Sequence, residues 1–286
     1  DAYSAEMKEQ TIETIKKDLG QVDMVIYSIA APRRTAPDGV TYKSVLKTTG
    51  ESYTNRTIDL RNNQLMEATI EPATDEEIQN TIKVMGGEDW ILWIKALKEA
   101  GVLADGAKTV AYSYIGPELT YPIYKEGSIG QAKKDLYASA DKIQAEIDGV
   151  EAYVSVNKAV VTQSSAAIPI VPLYLAILFK VMKEQKVQEG CIEQMYRMIH
   201  DRLCNGGAVV TDENRLIRMD DWEMEPKVQE AVAEIWQKID QDNLEEVTDL
   251  EGYWQEFYEI FGFRIDGVDY GADVDADVQI PSIAAE

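Results

Sequence analysis

The chain has 286 residues, which is long enough for one large α/β domain or for two smaller domains. Its 51 acidic residues outnumber its 28 basic residues, and the net charge is −23. Because contact with phosphate needs clustered Lys and Arg, we expect no nucleic-acid partner. The longest apolar stretch, residues 168–182, contains Pro172 and Lys180 and is too short to span a bilayer. No secretory signal opens the chain, so we expect a cytoplasmic protein without a membrane span.

Strands and helices alternate along the first part of the sequence. Helical periodicity begins just after Ser4, a plausible N-cap, and ends at Gly20. Continuous apolar runs predict strands at residues 22–30, 108–116 and 150–156. Further helices are predicted at residues 74–85, 88–100 and 129–147, and residues 31–44 are interpreted as a loop. This alternation predicts an α/β fold with a doubly wound parallel sheet.

The last hundred residues have a different character, mainly helical and acidic. We therefore expect a core in residues 1–183 and a helical extension in residues 184–286 that packs on the same core. His200 is the only histidine, which excludes a Ser-His-Asp triad and a two-histidine metal site. Cys191 and Cys204 are too few for a disulfide scaffold, and we expect both to be buried.

Three polar segments follow the predicted strands directly. They are Ser28 to Ala31, Tyr114 to Tyr124, and Thr162 to Ser165. In doubly wound folds, ligands bind beyond the carboxyl ends of the strands. The sequence therefore predicts a ligand site at this edge of the sheet.

Tyr124 and Lys133 are the candidate catalytic pair in this region. Nine residues along a continuous helix would place the two side chains on opposite faces, so they converge only if Tyr124 precedes the helix. Ser128 and Gln131 resemble a capping box, which predicts a helix start between them. The spacing alone is no better than chance, because Tyr174 and Lys183 repeat it inside a continuous helical pattern.

The surrounding motifs are much more specific than this spacing. The chain resembles the family of trans-2-enoyl-CoA reductases and enoyl-[acyl-carrier-protein] reductases, large relatives of the short-chain dehydrogenases with a Rossmann-like fold. The matching stretches are residues 1–35, 43–47, 72–90, 114–133, 156–174 and 261–270. The resemblance implies that NADH reduces the carbon–carbon double bond of an enoyl thioester carried by CoA or by acyl-carrier protein. The pathway implied is fatty acid synthesis or short-chain acyl-CoA metabolism.

The resemblance also implies roles for individual residues. Tyr124 matches the catalytic tyrosine, which stabilises the enolate oxygen and supplies a proton. Lys133 would bind the nicotinamide ribose and favour ionisation of Tyr124, and Tyr114 matches a substrate-contacting tyrosine at the thioester. The other implied cofactor contacts are Asp1 and Ala2 at the adenine pocket, Ser28, Ile29 and Ala30 beside the ribose, and Thr162, Gln163 and Ser164 beside the nicotinamide.

One feature of the family is missing from this sequence. No glycine-rich turn between a strand and a helix is present to hold the pyrophosphate, and the first residue is Asp1. We therefore expect that an N-terminal segment is absent, that this chain alone binds NADH poorly, and that the complete protein is a monomer. The alternatives are a short-chain dehydrogenase acting on a ketone or alcohol, and an inactive fragment that needs its N-terminal partner.

Two further hypotheses concern the substrate. Arg33 and Arg34 have the charge to bind the phosphates of CoA or of a carrier protein, although exposed loop arginines commonly have no such role. The apolar stretch from Ile168 to Phe179 follows the predicted nicotinamide loop. It lines an acyl channel or belongs to the core, and the sequence does not distinguish the two.

Overall fold

A four-stranded parallel sheet organises the molecule. The computed structural model describes residues 1–275, 277 and 278. The sheet has the order β1-β6-β7-β8, and all three strand pairs are parallel. Its strands are β1 (Val22–Tyr27), β6 (Leu103–Ser113), β7 (Val150–Val156) and β8 (Leu216–Arg218). The predicted parallel α/β fold is therefore confirmed.

Helices flank this sheet and continue into the second part of the chain. Those of the first part are α1 (Ala5–Asp18), α2 (Asp75–Met85), α3 (Glu88–Glu99), α4 (Tyr121–Tyr124), α5 (Ser128–Glu146) and α6 (Val171–Glu184). Those of the second part are α7 (Cys191–Arg197), α8 (Pro226–Lys238), α9 (Leu244–Val247) and α10 (Leu250–Glu259). Among the described residues, no helix combines the length and apolar character that a membrane crossing requires.

Local sequence signals explain several helix boundaries. Ser4 caps α1, because its hydroxyl accepts a hydrogen bond from the Met7 amide at 3.1 Å. Thr74 and Glu77 form a reciprocal capping box at the start of α2. In α6 almost every side chain is buried, as expected for a helix that is apolar all round and runs through the core.

The structure corrects two predictions of secondary structure. Residues 31–44 are not simply a loop, because β2 (Arg33–Thr35) and β3 (Thr41–Lys43) pair there as a short antiparallel hairpin. A longer hairpin, β4 (Tyr53–Asp59) with β5 (Gln64–Ile70), lies in a segment for which no element was predicted. Both hairpins are outside the parallel sheet. The strands of the first hairpin were missed because three-residue strands carry almost no periodic signal.

The second part of the chain is mainly helical, but it also contributes a strand. β8 pairs with β7 over residues 216–218, so this part completes the same sheet. The expected range 184–286 includes residue 276 and residues 279–286, which lie outside the described residues. Cys191 and Cys204 are both exposed, so the expectation that they are buried was wrong.

The topology brings the functional segments to one edge of the sheet. Because β1, β6 and β7 are parallel, the residues that follow Tyr27, Ser113 and Val156 all emerge at the carboxyl edge. α1 runs back along the sheet before β1, so its N-terminus lies at the same edge. α5 leaves this edge before β7, so its first turn starts there too.

Candidate active site

A cavity of about 210 Å³ lies at the carboxyl edge of the sheet. Its walls come from the residues after β6, from α4, from the loop after β7 and from α6. The lining residues are Ser113, Tyr114, Tyr124, Asn157, Lys158, Ala159, Val160, Thr162, Ser165, Ile168, Val171 and Leu175. The cavity thus combines two tyrosines and a lysine with an apolar wall, a composition typical of small-molecule sites.

Tyr124 precedes helix α5, as the spacing to Lys133 requires. It is the last residue of α4, and residues 125–127 separate it from Ser128, the first residue of α5. The two helices approach closely at Gly130. A Cβ there would clash with the Lys125 carbonyl and lie 2.8 Å from the Tyr124 carbonyl oxygen. A glycine at this position therefore permits the contact between the Tyr124 segment and the helix that carries Lys133.

The helix start itself differs from the prediction. Gly127 is the N-cap of α5 and Ser128 makes no capping bond, so the predicted capping box was wrong. The Ser128 hydroxyl instead donates to the Val45 carbonyl at 2.6 Å and accepts from the Lys47 amide at 3.2 Å. These bonds hold the start of α5 against residues 45–47. The stretch 43–47, which matches the reductase family, therefore helps to position α5 rather than to bind a ligand.

The surroundings of Tyr124 favour its protonated form. Burial raises the pKa of the Tyr124 hydroxyl, and the charge of Glu223 raises it further. Lys133 is not among the causes of this rise, so the expectation that it favours ionisation of Tyr124 stays a prediction. No described residue forms a hydrogen bond with the Tyr124 hydroxyl, which lines the cavity. Tyr124 is therefore suited to donate a proton to a bound molecule.

Lys133 reaches toward the end of β6. Its Nζ donates to the Tyr112 carbonyl at 3.2 Å, and burial lowers the pKa of the Lys133 amine to about 8. Among the described residues, no carboxylate forms an ion pair with Lys133. A half-buried lysine with spare hydrogen-bond donors beside a cavity is suited to bind hydroxyl groups of a ligand.

Tyr114 lines the same cavity as Tyr124. Its ring meets the ring of Tyr124 edge-on, with centroids 4.8 Å apart and planes at 90°. Its hydroxyl donates to Glu223 Oε1 at 3.0 Å. Gly116 has a positive φ of 72°, and a Cβ there would lie 2.7 Å from the Tyr114 hydroxyl oxygen. A glycine is therefore needed where the chain turns beneath this tyrosine.

Glu223 is a component of the site that the sequence analysis missed. It lies between β8 and α8, is completely buried, and accepts hydrogen bonds from Tyr114, Tyr174 and the Ala159 amide. The sequence offers no signal for this position, because Glu223 is one of several carboxylates in an acidic segment. Only the fold brings it beneath the cavity.

Comparisons with known proteins decide the family. Residues 1–204 match the family model described as "Trans-2-enoyl-CoA reductase catalytic region". This range contains the tyrosine pair, Lys133 and all of the lining residues of the cavity. The chain belongs to the trans-2-enoyl-CoA reductase family. A second model, described as "Enoyl reductase FAD binding domain", matches residues 211–274.

Individual relatives of this family are similar over nearly the whole chain. The "Trans-2-enoyl-CoA reductase [NADH]" of Ruminiclostridium cellulolyticum is 54% identical, over 99% of this chain and 72% of the relative. The "Enoyl-[acyl-carrier-protein] reductase [NADH]" of Cytophaga hutchinsonii is 52% identical over the same shares. The crystal structure of Treponema denticola trans-2-enoyl-CoA reductase in complex with NAD has a TM-score of 0.92 and 49% identity. The match covers 96% of this chain and 69% of the Treponema denticola chain.

The residues matched to the cofactor in the reductase family lie at the carboxyl edge, but not all of them line the cavity. Ser28 and Ala30 are exposed just after β1, and Ile29 packs partly against the core. Asp1 and Ala2 precede α1 at the same edge. The Ala2 carbonyl accepts a hydrogen bond from the Trp93 indole at 3.1 Å. These five residues form an accessible rim beside β1, separate from the tyrosine pair.

The loop after β7 bears the third matched set. Thr162, Gln163 and Ser164 are exposed, and Thr162 lines the cavity. Reciprocal hydrogen bonds between Thr162 and Ser165, at 3.0 and 3.1 Å, hold the loop in a turn. Ile170, a buried residue with a φ of 74°, begins α6 in a conformation that is unusual for a β-branched side chain. The loop is thus fixed by its own bonds and by packing.

The apolar stretch from Ile168 to Phe179 contributes both to the cavity wall and to the core, and its role as an acyl channel stays a prediction. Ile168, which precedes α6, lines the cavity together with Val171 and Leu175, which lie one turn apart on one face of α6. Most residues of this stretch belong to the largest apolar core. The stretch therefore gives the cavity an apolar wall while its other side packs against α8 and β4.

The two arginines after β1 differ in their surroundings. Arg34 is buried and pairs with Glu88 at 2.7 Å, so the hypothesis that it binds phosphate was wrong. Arg33 is exposed in β2. Tyr174 and Lys183, which repeat the spacing of Tyr124 and Lys133, also have separate partners. Tyr174 donates a hydrogen bond to Glu223, and Lys183 forms an ion pair with Asp249.

The flavin in the description of the second family model does not fit the cavity that residues 245–254 of this segment form. That cavity, of about 430 Å³, is lined by Asn63, Glu245, Thr248, Asp249, Leu250, Glu251 and Trp254. Three carboxylates and no Arg or Lys among these lining residues would repel the diphosphate of a flavin dinucleotide. We therefore derive no step through a flavin.

Proposed function

We propose that this chain carries the catalytic region of an NADH-dependent reductase that saturates trans-2-enoyl thioesters. The observation that carries the proposal is the pair Tyr114 and Tyr124 in one cavity, with the Lys133 helix packed against Tyr124. The similarity to relatives named for NADH and to a structure in complex with NAD supports it.

In this reaction Tyr124 is the acid. When bound, NADH would supply a hydride to the β-carbon of the enoyl group. Negative charge then develops on the thioester oxygen, and a protonated Tyr124 donates a hydrogen bond to that oxygen and supplies the proton. The raised pKa of Tyr124 keeps this proton in place until the charge appears.

The other matched residues would hold the cofactor and the substrate. Lys133 has free donors for the ribose hydroxyls, and Thr162, Gln163 and Ser164 are exposed in the loop after β7, where Thr162 lines the cavity. Ser28, Ile29 and Ala30 extend the site along the rim toward Asp1 and Ala2. Ile168 and the face of α6 that contains Val171 and Leu175 would contact the acyl chain, because they form the apolar side of the same cavity.

The parts of the chain that make up the complete catalytic region are also a proposal. We propose a core in residues 1–183 completed by residues 184–286, and a strand from an N-terminal segment of the same protein that pairs with β1. Two observations support this strand. No described strand occupies the second edge of β1, and Ile26 of β1 is 37% exposed. Cytoplasmic location and a monomeric state of such a complete protein remain predictions.

Turnover tests the proposed function. The purified chain, alone and with the N-terminal segment, is given NADH and crotonyl-CoA or the corresponding carrier-protein thioester, while NADH absorbance is followed. We expect NADH to be consumed as the saturated thioester forms. Acetoacetyl-CoA serves as the ketone control for the short-chain dehydrogenase alternative. If the chain with its N-terminal segment reduces neither enoyl thioester, the proposal is wrong.

A further inference from the structure

Glu223 is buried against both the cavity and the core, and the reaction described above does not use it. Its Oε1 accepts hydrogen bonds from the Tyr114 hydroxyl at 3.0 Å and from the Tyr174 hydroxyl at 2.6 Å. Its Oε2 accepts from the Ala159 amide at 2.7 Å. The Glu223 carbonyl accepts from Gln229 at 2.7 Å, which fixes the backbone of the turn. Three separate parts of the chain thus converge on one carboxylate.

No cation forms an ion pair with Glu223 among the residues that the structure describes. Burial raises the pKa of the Glu223 carboxyl, whereas the hydrogen bonds from Tyr174 and Ala159 and the nearby charge of Lys158 lower it. Lys158 is itself buried and donates to the Ala159 carbonyl at 2.7 Å. The titratable groups that face Glu223 from the surrounding elements are Tyr114, Tyr124, Lys158, Tyr174 and Asp220.

The hydrogen bond to Glu223 determines what Tyr114 offers to the cavity. A tyrosine hydroxyl has a single proton, and that of Tyr114 is directed at Glu223 Oε1. The part of this hydroxyl that faces the cavity is therefore its oxygen lone pairs. Tyr124 differs, because its hydroxyl has no hydrogen-bond partner among the described residues. Two adjacent tyrosines thus present opposite polarity to the same cavity.

We propose that Glu223 is a positioning residue, which holds the Tyr114 proton away from the cavity so that the thioester oxygen binds to Tyr124 alone. The inference rests on the proposed function. Its physical basis is that a single correctly placed donor orients the oxygen on which charge develops. A second donor at Tyr114 would compete for that oxygen. The carboxylate behind Tyr114 also repels an oxyanion from that side of the cavity.

A double-mutant cycle tests whether Glu223 acts through Tyr114. In Glu223→Gln the amide group can donate to Tyr114 and release its proton into the cavity. We expect kcat/KM with crotonyl-CoA to fall about tenfold. In the Tyr114→Phe background no proton can be released, so adding Glu223→Gln is expected to change kcat/KM much less. If the two changes multiply as independent effects, Glu223 has only a structural role and the proposal is wrong.

The stretching frequency of the thioester carbonyl gives a readout that does not depend on turnover. Butyryl-CoA with an isotope-labelled carbonyl is bound to the protein with the cofactor, and the band is followed by infrared difference spectroscopy. Tyr124→Phe should raise the frequency because it removes the donor, whereas Tyr114→Phe should leave the band in place. This comparison holds even if Glu223→Gln does not fold. An equal shift in both variants would overturn the inference.

These outcomes separate this inference from the proposed function. If the wild-type protein neither turns over crotonyl-CoA nor binds butyryl-CoA, the proposed function is wrong and this inference falls with it. If the wild-type protein is active but Tyr114→Phe shifts the carbonyl band as Tyr124→Phe does, only the role of Glu223 is rejected.

Discussion

Asp89 and Glu223 are both buried carboxylates at the carboxyl edge of the sheet, and their surroundings differ. Asp89, at the start of α3, is 1% exposed and accepts hydrogen bonds from Lys8 at 2.8 Å and from Tyr27 at 3.1 Å. Glu223 is equally buried, but its partners are two tyrosine hydroxyls and a backbone amide. One carboxylate is compensated by a cation, and the other by neutral donors.

This difference indicates that Asp89 has a structural role and that Glu223 acts on the chemistry of the cavity. The Lys8–Asp89 ion pair joins α1 to α3, and Tyr27 links it to the end of β1, so this cluster fixes the helices around the rim. Glu223 directs a hydroxyl group of the cavity wall, and its charge acts on Tyr124. We therefore expect substitutions around Asp89 to alter mainly stability, and substitutions around Glu223 and the tyrosines to alter mainly turnover.

The largest expected effect is on turnover, at Tyr124. Tyr124→Phe removes the proton donor but keeps the ring that packs against Tyr114, so kcat/KM with crotonyl-CoA should fall by about 10² to 10⁴. The unfolding temperature should change little. Tyr121→Phe, at the other end of α4, is the matched control and should retain normal turnover. An active Tyr124→Phe variant would remove this residue from the mechanism.

The next effect is on stability, at the ion pair of Asp89. Lys8→Met preserves the length of the side chain but leaves a buried carboxylate without its cation, so the free energy of unfolding should fall by about 3–5 kcal/mol. Denaturant titration measures this change. Lys16→Met, at an exposed position of α1, is the control. Adding Asp89→Asn to Lys8→Met should restore part of the loss, and a further loss instead would contradict the comparison.

A third prediction concerns pH and the cofactor. The Lys133 amine has a pKa of about 8, so it is charged below this pH and neutral above it. NADH affinity should therefore weaken as pH rises through about 8, and Lys133→Met should weaken it by about 10- to 100-fold and abolish this dependence. Isothermal titration of the chain with its N-terminal segment measures the affinity. Lys134→Met is the exposed control.

The effect of Lys133 on stability should have the opposite sign. Because its pKa is lower in the folded than in the unfolded chain, the unfolded chain binds more protons between about pH 8 and the usual range of lysine. Stability should thus rise with pH across this window in the wild-type protein and not in Lys133→Met. A chain that loses stability across the same window would show that Lys133 gains a partner on folding.

Secondary-structure elements with long local sequence patterns were predicted from the sequence, and elements with short patterns were missed. The apolar runs of β1, β6 and β7 and the cap at Ser4 have local causes, and these elements were predicted correctly. The strand β8 was missed because a three-residue strand depends on pairing with a distant segment, here β7. The two hairpins were also missed, and the strands of the first, with three residues each, carry little periodic signal. The capping box at Ser128 failed for a similar reason, since that hydroxyl bonds to Val45 and Lys47 instead.

In the candidate site, too, residues within local sequence patterns were predicted, and a residue brought in by long-range contacts was missed. Tyr124 and Lys133 were predicted because helix geometry and neighbouring motifs constrain both of them. Glu223 is about ninety residues farther along the chain, and no spacing rule connects it to Tyr114 or Tyr174. The sign of the Tyr124 pKa shift was likewise beyond the sequence, because it depends on burial and on that distant carboxylate.

The smallest effect is expected at Tyr174, the partner of Glu223 that lies outside the cavity. Tyr174→Phe removes the 2.6 Å hydrogen bond and should lower the free energy of unfolding by about 1.5–3 kcal/mol. Because Tyr114 and the Ala159 amide still hold Glu223, kcat/KM should fall by less than about tenfold. Unfolding and steady-state kinetics of the same preparation separate the two effects. A loss of turnover as large as that of Tyr124→Phe would mean that Glu223 requires both hydroxyls to keep its position. The cavity and the core beneath it would then have to be treated as one unit.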